Sequence, residues 1–251
     1  MVAKRIIPCL DVKEGATVKG VNFLDITAVG DPVSMGIKYS EEGADELVYL
    51  DISATQEGRS TFLNLVTEIA SSINIPFTVG GGISTLEHAA NLLKAGADKI
   101  SVNSAAVKNP AIISDIASKY GSQYIVAAID AKLFDGKWMV MTHGGTNDSG
   151  RELFEWVKEV QERGAGEILL TSMNHDGTKN GYPVDLFLEL SQILKVPIIA
   201  SGGAGNATHI ADILNKGKAN AALAASIFHY GTINIYDLKK ELIQKGVEVR
   251  L

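Results

Sequence analysis

The sequence predicts a closed (β/α)8 barrel of the α/β class, also called a TIM barrel. Short apolar runs alternate with amphipathic helical stretches eight times along the chain, and such alternation is typical of a parallel sheet. The chain has 251 residues, a usual length for one barrel of eight strand–helix units. The alternative, an open doubly wound sheet, usually carries a G-x-G-x-x-G turn after its first strand. The predicted first strand runs into Asp11 without such a turn.

The eight predicted strands are short runs rich in Ile, Val, Leu and Ala. They span residues 5–10, 46–50, 77–79, 99–102, 124–129, 167–170, 198–200 and 221–224. The helical patterns between them span residues 33–42, 61–72, 86–95, 110–120, 153–163, 183–194, 207–216 and 235–245. Several of these patterns are followed directly by glycine, the residue favoured at the C-terminal end of a helix.

The chain also repeats itself with a period of about 121 residues. The segments GADELVYLDIS and GAGEILLTSMN begin at residues 43 and 164, and IPFTVGGGI and VPIIASGGA begin at residues 75 and 196. In a third pair, Ser104 aligns with Ser226. Loose similarity between any two strand–helix units does not explain three matches at nearly one offset. We therefore expect a single barrel domain built from two similar half-barrels, about residues 1–121 and 122–251.

Composition and charge exclude several classes of protein. The chain has 23 basic and 29 acidic side chains, a net charge of −6 and 46% hydrophobic residues, which excludes a disordered chain. The single cysteine, Cys9, excludes an internal disulfide, and no apolar run reaches the roughly 18 residues of a membrane span. The N-terminus lacks the apolar region and cleavage site of a signal peptide, and the mild acidity argues against nucleic acid as a partner. We expect a cytoplasmic protein that binds neither membrane nor nucleic acid.

Two glycine-rich turns follow the third and seventh predicted strands, at the end of the barrel where such folds carry their sites. They read VGGGIS at 79–84 and ASGGAG at 200–205, and small residues let backbone N–H groups approach an oxyanion closely. The next strand of each half leads to Asn103-Ser104 or Ala225-Ser226, where a following helix also favours phosphate. The repeated pattern predicts two phosphate sites on opposite sides of the barrel mouth and a ligand with a phosphate at each end.

Polar residues that could perform chemistry follow the strands between these turns. Asp11 and Asp130 end the first and fifth strands. Such a carboxylate is often only a cap or turn residue, but the symmetric placement favours a base and an acid acting on one substrate. Thr171 and Asp176 are expected to be supporting contacts, although Asp176 could only stabilise a turn. Lys19 lies in the long segment VKEGATVKG, a predicted lid, where it either contacts substrate or is an ordinary solvated lysine.

Four charged residues stand near the opposite ends of the strands. Side chains two residues apart share one face of a strand, so counting back from the mouth places Arg5, Lys99 and Glu167 inward, and Glu46 opens the second strand. Such a set could be a solvated rim whose ion pairs stabilise little, or a ring that opens and closes a central passage. No metal or other cofactor is expected, because the five histidines lack the spacing of a zinc site.

Across its whole length, the sequence resembles the cyclase subunits of imidazole glycerol phosphate synthase, an enzyme of histidine biosynthesis. The resemblance rests on AKRIIPCLDVKEGATVKG, FTVGGGI, KISVNSAAV, IVAAIDAK, GAGEILLTS, DGTKNGY, IIASGGAG and ALAASIFH. It implies a (β/α)8 lyase without a cofactor. The substrate would be a phosphoribulosyl-formimino aminoimidazole carboxamide ribotide with two phosphates, which reacts with ammonia. The products would be imidazole glycerol phosphate and aminoimidazole carboxamide ribotide.

The resemblance also assigns roles to individual residues. Asp11 and Asp130 would be the acid/base pair. One phosphate would be bound by Gly82, Asn103 and Ser104, and the other by Gly177, Gly203, Ala225 and Ser226. The ring of Arg5, Glu46, Lys99 and Glu167 would be the gate of an ammonia passage.

A partner follows from the same resemblance. No Cys-His-Glu arrangement for glutamine hydrolysis is visible in the chain, so ammonia would come from a separate glutaminase subunit that forms a heterodimer with this one. That subunit would dock on the N-terminal face of the barrel, where Asp98 and Gln123 would lie at the interface. The segment MTHGGTNDSG departs from the family pattern, with His143-Gly144 where an aromatic residue and serine are expected.

Two other functions fit part of the pattern. The sister isomerase of the same pathway shares the half-barrel repeat, the phosphate turns and the paired aspartates. Its first strand usually ends in a PAIDL-like run, whereas this chain reads IIPCLDVKEG. A catalytically silent barrel that only binds bisphosphates would not need both aspartates.

Overall fold

The structure, a computed structural model, has the predicted closed barrel of eight parallel strands. It describes the backbone of residues 2–21, 24–52 and 56–251, and the side chains of residues 2–18, 27–52 and 62–251. The barrel strands follow one another in chain order, and the ring closes through pairing of the fifth with the sixth strand. Each strand therefore has a neighbour on both sides, which removes the exposed edges of an open sheet.

The described part of the chain forms twelve strands, of which eight make the barrel. The barrel strands are β1 (Arg5–Lys13), β4 (Leu47–Asp51), β5 (Phe77–Gly80), β6 (Lys99–Val102), β7 (Ile125–Phe134), β10 (Glu167–Ser172), β11 (Ile198–Ser201) and β12 (Ala221–Ala224). The remaining four are β2 (Ala16–Val21), β3 (Leu24–Gly30), β8 (Lys137–Thr142) and β9 (Asn147–Glu152).

The helices agree with the sequence pattern to within about one residue, with one exception. They are α1 (Pro32–Glu41), α2 (Gln56–Ser72), α3 (Leu86–Lys94), α4 (Ser104–Lys108), α5 (Ala111–Tyr120), α6 (Leu153–Glu162), α7 (Val184–Ile193), α8 (Ala207–Asn215), α9 (Ser226–His229) and α10 (Ile235–Gln244). The exception is α2, which begins five residues before the predicted start. The short helices α4 and α9 were not predicted as separate elements, and both begin at the serine of a predicted phosphate site.

The segment after the first strand, predicted to be a long loop, is instead an antiparallel ribbon, and its role as a lid stays a prediction. β1 turns at Glu14-Gly15 into β2, and β2 pairs with β3. In the second half of the chain, β7 turns at Asp135-Gly136 into β8, and β8 pairs with β9. Both turns have positive φ at both central residues, the conformation of a type I′ turn that suits the twist of a hairpin. The two ribbons extend the first and fifth strands above the barrel mouth.

Apolar side chains form two separate cores. The larger core lies between the outer face of the barrel and the helices. The smaller fills the lumen and consists of eight buried side chains: Ile7, Cys9, Val48, Val126, Leu169, Ile199, Ala221 and Leu223. The predicted two-residue alternation along β1, β7 and β10 is therefore confirmed. It leaves polar side chains only at the two ends of the lumen on these strands.

Candidate active site

A cavity of about 570 Å³ occupies the mouth of the barrel, at the C-terminal ends of its strands. It is lined by eleven of the residues predicted for the site: Asp11, Gly82, Asn103, Ser104, Asp130, Thr171, Asp176, Gly177, Gly203, Ala225 and Ser226. These residues come from both half-barrels and from far-separated parts of the sequence. One cavity thus brings together both predicted phosphate regions and both predicted acid/base residues. The side chain of Lys19 lies outside the described residues.

The two glycine-rich turns have the same geometry in the two halves of the chain. Gly81 and Gly202 both have positive φ, 99° and 91°. A Cβ on Gly81 would meet the carbonyl oxygen of Asp51, and a Cβ on Gly202 would meet that of Ser172. Only glycine allows the backbone to pass so close to the end of the neighbouring strand. Both turns therefore expose backbone to the cavity in a shape that another residue would disturb.

Ser104 and Ser226 are equivalent residues of the internal repeat. Each is the first residue of a short helix. The hydroxyl oxygen of Ser104 accepts a hydrogen bond from the backbone N–H of His143, at 3.0 Å. This contact joins the β8–β9 ribbon to the first predicted phosphate region, and His143 and Gly144 both line the cavity. The departure from the family pattern therefore lies directly at the site.

Asp130 combines burial with one strong hydrogen bond. Its carboxylate accepts from the side-chain amide of Asn103 at 2.9 Å. Burial and, to a smaller extent, the charge of Asp176 together raise the pKa of Asp130 to about 6, against the lowering effect of the Asn103 hydrogen bond. A carboxyl group with a pKa near neutrality can both release and accept a proton under physiological conditions.

Asp11 lies on the other side of the same lumen, where the barrel passes into the first ribbon. Its backbone is paired with Leu50 of β4 and with Val18 of β2, and it lines the cavity that Asp130 also lines. Asp130 is held in the matching way, between Thr171 of β10 and Met141 of β8. The two carboxylates thus occupy equivalent positions at the base of the two ribbons.

Sequence reasoning missed several polar residues of the cavity. Asp51, Ser101 and Ser201 line it although none was named as a site residue, even though Ser201 lies within the predicted turn at 200–205. Ser101 precedes Asn103 by two residues, so the alternation along β6 could have indicated it. The sequence signals for the other two residues are weaker. Ser201 is the residue equivalent to Gly80 in the internal repeat, and Asp51 follows an apolar strand as Asp11 does. Lys108 of α4 also lines the cavity and supplies a cation near Ser104.

The four charged residues predicted at the opposite end form a closed ring of ion pairs. Arg5 Nη1 lies 2.7 Å from Glu46 Oε2, and Arg5 Nη2 forms an ion pair with Glu167 Oε1. Lys99 Nζ lies 2.9 Å from both Glu46 Oε1 and Glu167 Oε2. Each cation bridges both anions, and the Thr78 hydroxyl adds a hydrogen bond to Glu46 at 2.9 Å. The solvated-rim alternative is wrong, because the Glu46 and Glu167 side chains are only 3% and 7% exposed.

Electrostatics favours the charged forms of two members of the ring, Arg5 and Glu167. Burial would raise the pKa of Glu167, but hydrogen bonds and charges from Arg5 and Lys99 outweigh it and leave that pKa below its ordinary value. For Arg5, Glu167 and Glu46 outweigh burial in the same way and raise its pKa. Buried pairs of this kind contribute little net stability, yet removal of one partner leaves an uncompensated charge. The ring therefore depends on both of its cations and both of its anions.

Asp98 and Gln123 lie at the barrel face that carries this ring. Asp98 immediately precedes β6, and Gln123 belongs to a short 3-10 turn before β7. Both are exposed. Among the described residues, no helix is both long and apolar enough to cross a bilayer.

Comparison with known proteins gives one consistent result. A family model described as "Histidine biosynthesis protein" matches residues 5–234. The chain is 60% identical to the imidazole glycerol phosphate synthase subunit HisF of Flavobacterium johnsoniae. It is 59% identical to the HisF subunit of Flavobacterium psychrophilum and 56% identical to that of Phocaeicola vulgatus. All three matches extend over 251 residues and cover both chains completely.

Proposed function

Because the chain belongs to the histidine biosynthesis protein family, we propose that its barrel stretches a substrate with two phosphates across the mouth and transfers protons at its middle. The activity is that of the cyclase subunit of imidazole glycerol phosphate synthase, an enzyme of histidine biosynthesis. The observation that carries the proposal is the single cavity that contains both glycine turns, both serines and both aspartates.

Each phosphate is held by a glycine turn and the serine of the next strand–helix unit. Gly82, Asn103 and Ser104 bind one phosphate. Gly177, Gly203, Ala225 and Ser226 bind the other. The positive φ of the turns and their close approach to the neighbouring strand support this assignment, because such backbone presents N–H groups to an anion. Thr171, Asp176 and the lysine at position 19 are supporting contacts.

Asp11 and Asp130 are the proton-transfer groups for ring closure with ammonia and for release of aminoimidazole carboxamide ribotide. The raised pKa of Asp130, about 6, supports a role as the group that donates and then accepts a proton. Asp11 faces the same space from the opposite half-barrel and completes the pair.

Ammonia reaches the cavity through the lumen from a partner glutaminase that docks on the N-terminal face as the second half of a heterodimer. The ring of Arg5, Glu46, Lys99 and Glu167 is the gate of this passage, and Asp98 and Gln123 contact the partner. The lumen between ring and cavity is lined by apolar side chains, which favour the passage of neutral ammonia over that of a charged ion. The protein acts in the cytoplasm.

Turnover of the pure chain tests the proposed reaction. The protein is mixed with the phosphoribulosyl substrate and an ammonium salt at alkaline pH, without glutamine or partner, and both products are quantified. We expect the two products in equal amounts. An unconsumed substrate would instead favour the sister isomerase, and binding without turnover would favour a silent barrel.

A further inference from the structure

Two histidines occupy equivalent positions beneath the two glycine-rich turns. His88 in α3 and His209 in α8 are 121 residues apart, in register with the internal repeat. Each backbone N–H is capped by the residue before its helix, His88 by Thr85 at 3.2 Å and His209 by Asn206 at 3.0 Å. The caps therefore place the backbone of both histidines at the same position relative to their turns.

The His88 ring presents a hydrogen-bond acceptor to its turn. Its Nδ1 lies 3.4 Å from the backbone nitrogen of Ser84 and accepts that N–H. A neutral imidazole carries one proton, so a ring that accepts at Nδ1 carries its proton on Nε2. The end of the first turn is therefore already held from below.

The contacts of the His209 ring favour the opposite tautomer. The Asn206 amide oxygen accepts from the His209 backbone N–H, so the Asn206 amide nitrogen is the atom that faces His209 Nε2, at 3.3 Å. An amide nitrogen only donates, and Nε2 must therefore accept. The ring proton is then on Nδ1, which turns this atom into a donor.

This donor is buried against the second turn. His209 Nδ1 is inaccessible to solvent and has no hydrogen-bond partner among the residues that the structure describes. A Cβ placed on Gly205 would lie 3.1 Å from it. Buried polar groups in folded proteins are nearly always paired, so an orphaned one points to a partner in another state. Gly203 and Ala204 line the cavity, whereas the described lining does not include His209.

We propose that His209 is a positioning residue for the second phosphate: its Nδ1–H donates to a backbone carbonyl of the 202–205 turn when that turn binds the anion. In a trans peptide the N–H and the C=O point in opposite directions. A peptide that aims its N–H at a phosphate in the cavity therefore aims its carbonyl toward the buried side, where the His209 donor lies. The inference rests on the proposed phosphate site at Gly203 and Ser226 and adds the residue that sets its shape.

Three variants of His209 separate this role from packing. Asparagine places an amide nitrogen where imidazole has Nδ1, glutamine places it where imidazole has Nε2, and leucine has no donor. Ammonia-driven kinetics are measured for all three. We expect His209→Gln and His209→Leu to raise KM about tenfold with kcat within about twofold, since a hydrogen bond to a polar backbone group is lost. His209→Asn should keep KM within about twofold of that of the unaltered protein. If the leucine variant does not fold, the Asn and Gln pair makes the same distinction.

Equal effects of Asn and Gln on KM, or no effect of either, would overturn the proposal. Binding of inorganic phosphate, followed by the ring nitrogen resonances of His209, provides a second readout that does not depend on turnover. We expect the Nδ1 proton to become more strongly hydrogen-bonded as phosphate binds, and a resonance that does not move would contradict the role. If the unaltered protein binds phosphate with this response but does not consume the ribulosyl substrate, the proposed reaction fails while the role of His209 stands.

Discussion

At the scale of single residues, the ionised form of Asp130, a proposed proton-transfer group, has an energetic cost. Its pKa is raised by burial to about 6 from an ordinary 3.8, so the folded protein holds this proton more tightly than the unfolded chain does. The contribution of this tighter proton binding to the free energy of unfolding is fully present below about pH 4 and is lost as the pH rises through about 6. Two pKa units correspond to at most about 3 kcal/mol. At neutral pH, the ionised carboxylate thus opposes folding, as expected for a group retained for chemistry.

Asp130→Asn should therefore raise the stability of the protein while removing its activity. We expect the free energy of unfolding in urea to rise by about 1–2 kcal/mol at pH 8 and to change little at pH 4, where the carboxyl is already neutral. Asp115→Asn, an exposed change on α5, serves as the control and should leave both values unchanged. A variant less stable than the unaltered protein at pH 8 would contradict the assigned cause of the shift.

Asp11→Asn tests the other carboxylate. Because Asp11 is proposed to transfer a proton to or from the reacting centre, the variant should lose a factor of about 10³ in ammonia-driven kcat. KM and the far-ultraviolet circular dichroism spectrum should be nearly unchanged. Asp176→Asn lines the same cavity and should lose less than about tenfold. If Asp11→Asn kept most of its rate, Asp11 would not be the key proton-transfer group.

At the scale of elements, the sequence predicted the helices and barrel strands well but missed both ribbons. Apolar periodicity reports burial, and the eight barrel strands and the long helices are buried on a regular face. β9 reads NDSGRE and carries no buried residue, so periodicity has nothing to report there. The dipeptide Asp135-Gly136 was an available signal, because Asp-Gly favours the type I′ turn of a hairpin.

The site was more predictable than the ribbons, for a different physical reason. Parallel strands of a barrel all end at one rim, so residues that follow strands are brought together whatever their distance in sequence. This rule correctly placed Asp11, Ser104 and Ser226 around one cavity. It could not indicate His143, because that residue reaches the rim through an unpredicted ribbon.

Substitutions in the two glycine turns test their equivalence. Gly81→Ala and Gly202→Ala each force a Cβ against a strand carbonyl at positive φ, so each should lower the free energy of unfolding by about 3 kcal/mol or more. Gly136→Ala has positive φ but open space around it and should lose only about 1 kcal/mol. Urea unfolding of the three variants makes the comparison. Losses of the Gly136→Ala size at both turns would show that the close approach is not a constraint.

At the scale of the whole molecule, the two ends of the barrel carry different polar sites joined by an apolar lumen. The cavity lies at one end and the Arg5–Glu46–Lys99–Glu167 ring at the other. This separation is what the proposed passage of ammonia from one face to the other requires.

Lys99→Met tests whether the ring serves that passage. Loss of the lysine leaves Glu46 and Glu167 with Arg5 as their remaining ring cation, which should disorder the closed ring. In the complex with the glutaminase, we expect glutamine-driven turnover to fall about tenfold and ammonia-driven turnover to stay within about twofold. Lys158→Met, an exposed change on α6, is the control. Equal losses with both nitrogen sources would remove the passage proposal.

The internal repeat accounts for the shape of the whole site. Both half-barrels begin with a strand that runs into a ribbon, carry an aspartate at its base and close with a glycine turn and a serine. We propose that residues 1–121 and 122–251 are two copies of one unit in a single domain. Each unit would supply one anion site, so two units facing each other would supply the two phosphate sites of the proposed substrate.

A crystal structure of Asp11→Asn with the ribulosyl substrate bound is the most direct test of this arrangement. The variant should hold the substrate without converting it. We predict one phosphate at Gly82 and Ser104, the other at Gly203 and Ser226, and the reacting carbons between residues 11 and 130. Density that placed both phosphates in one half-barrel, or the reacting carbons away from Asp130, would contradict the account.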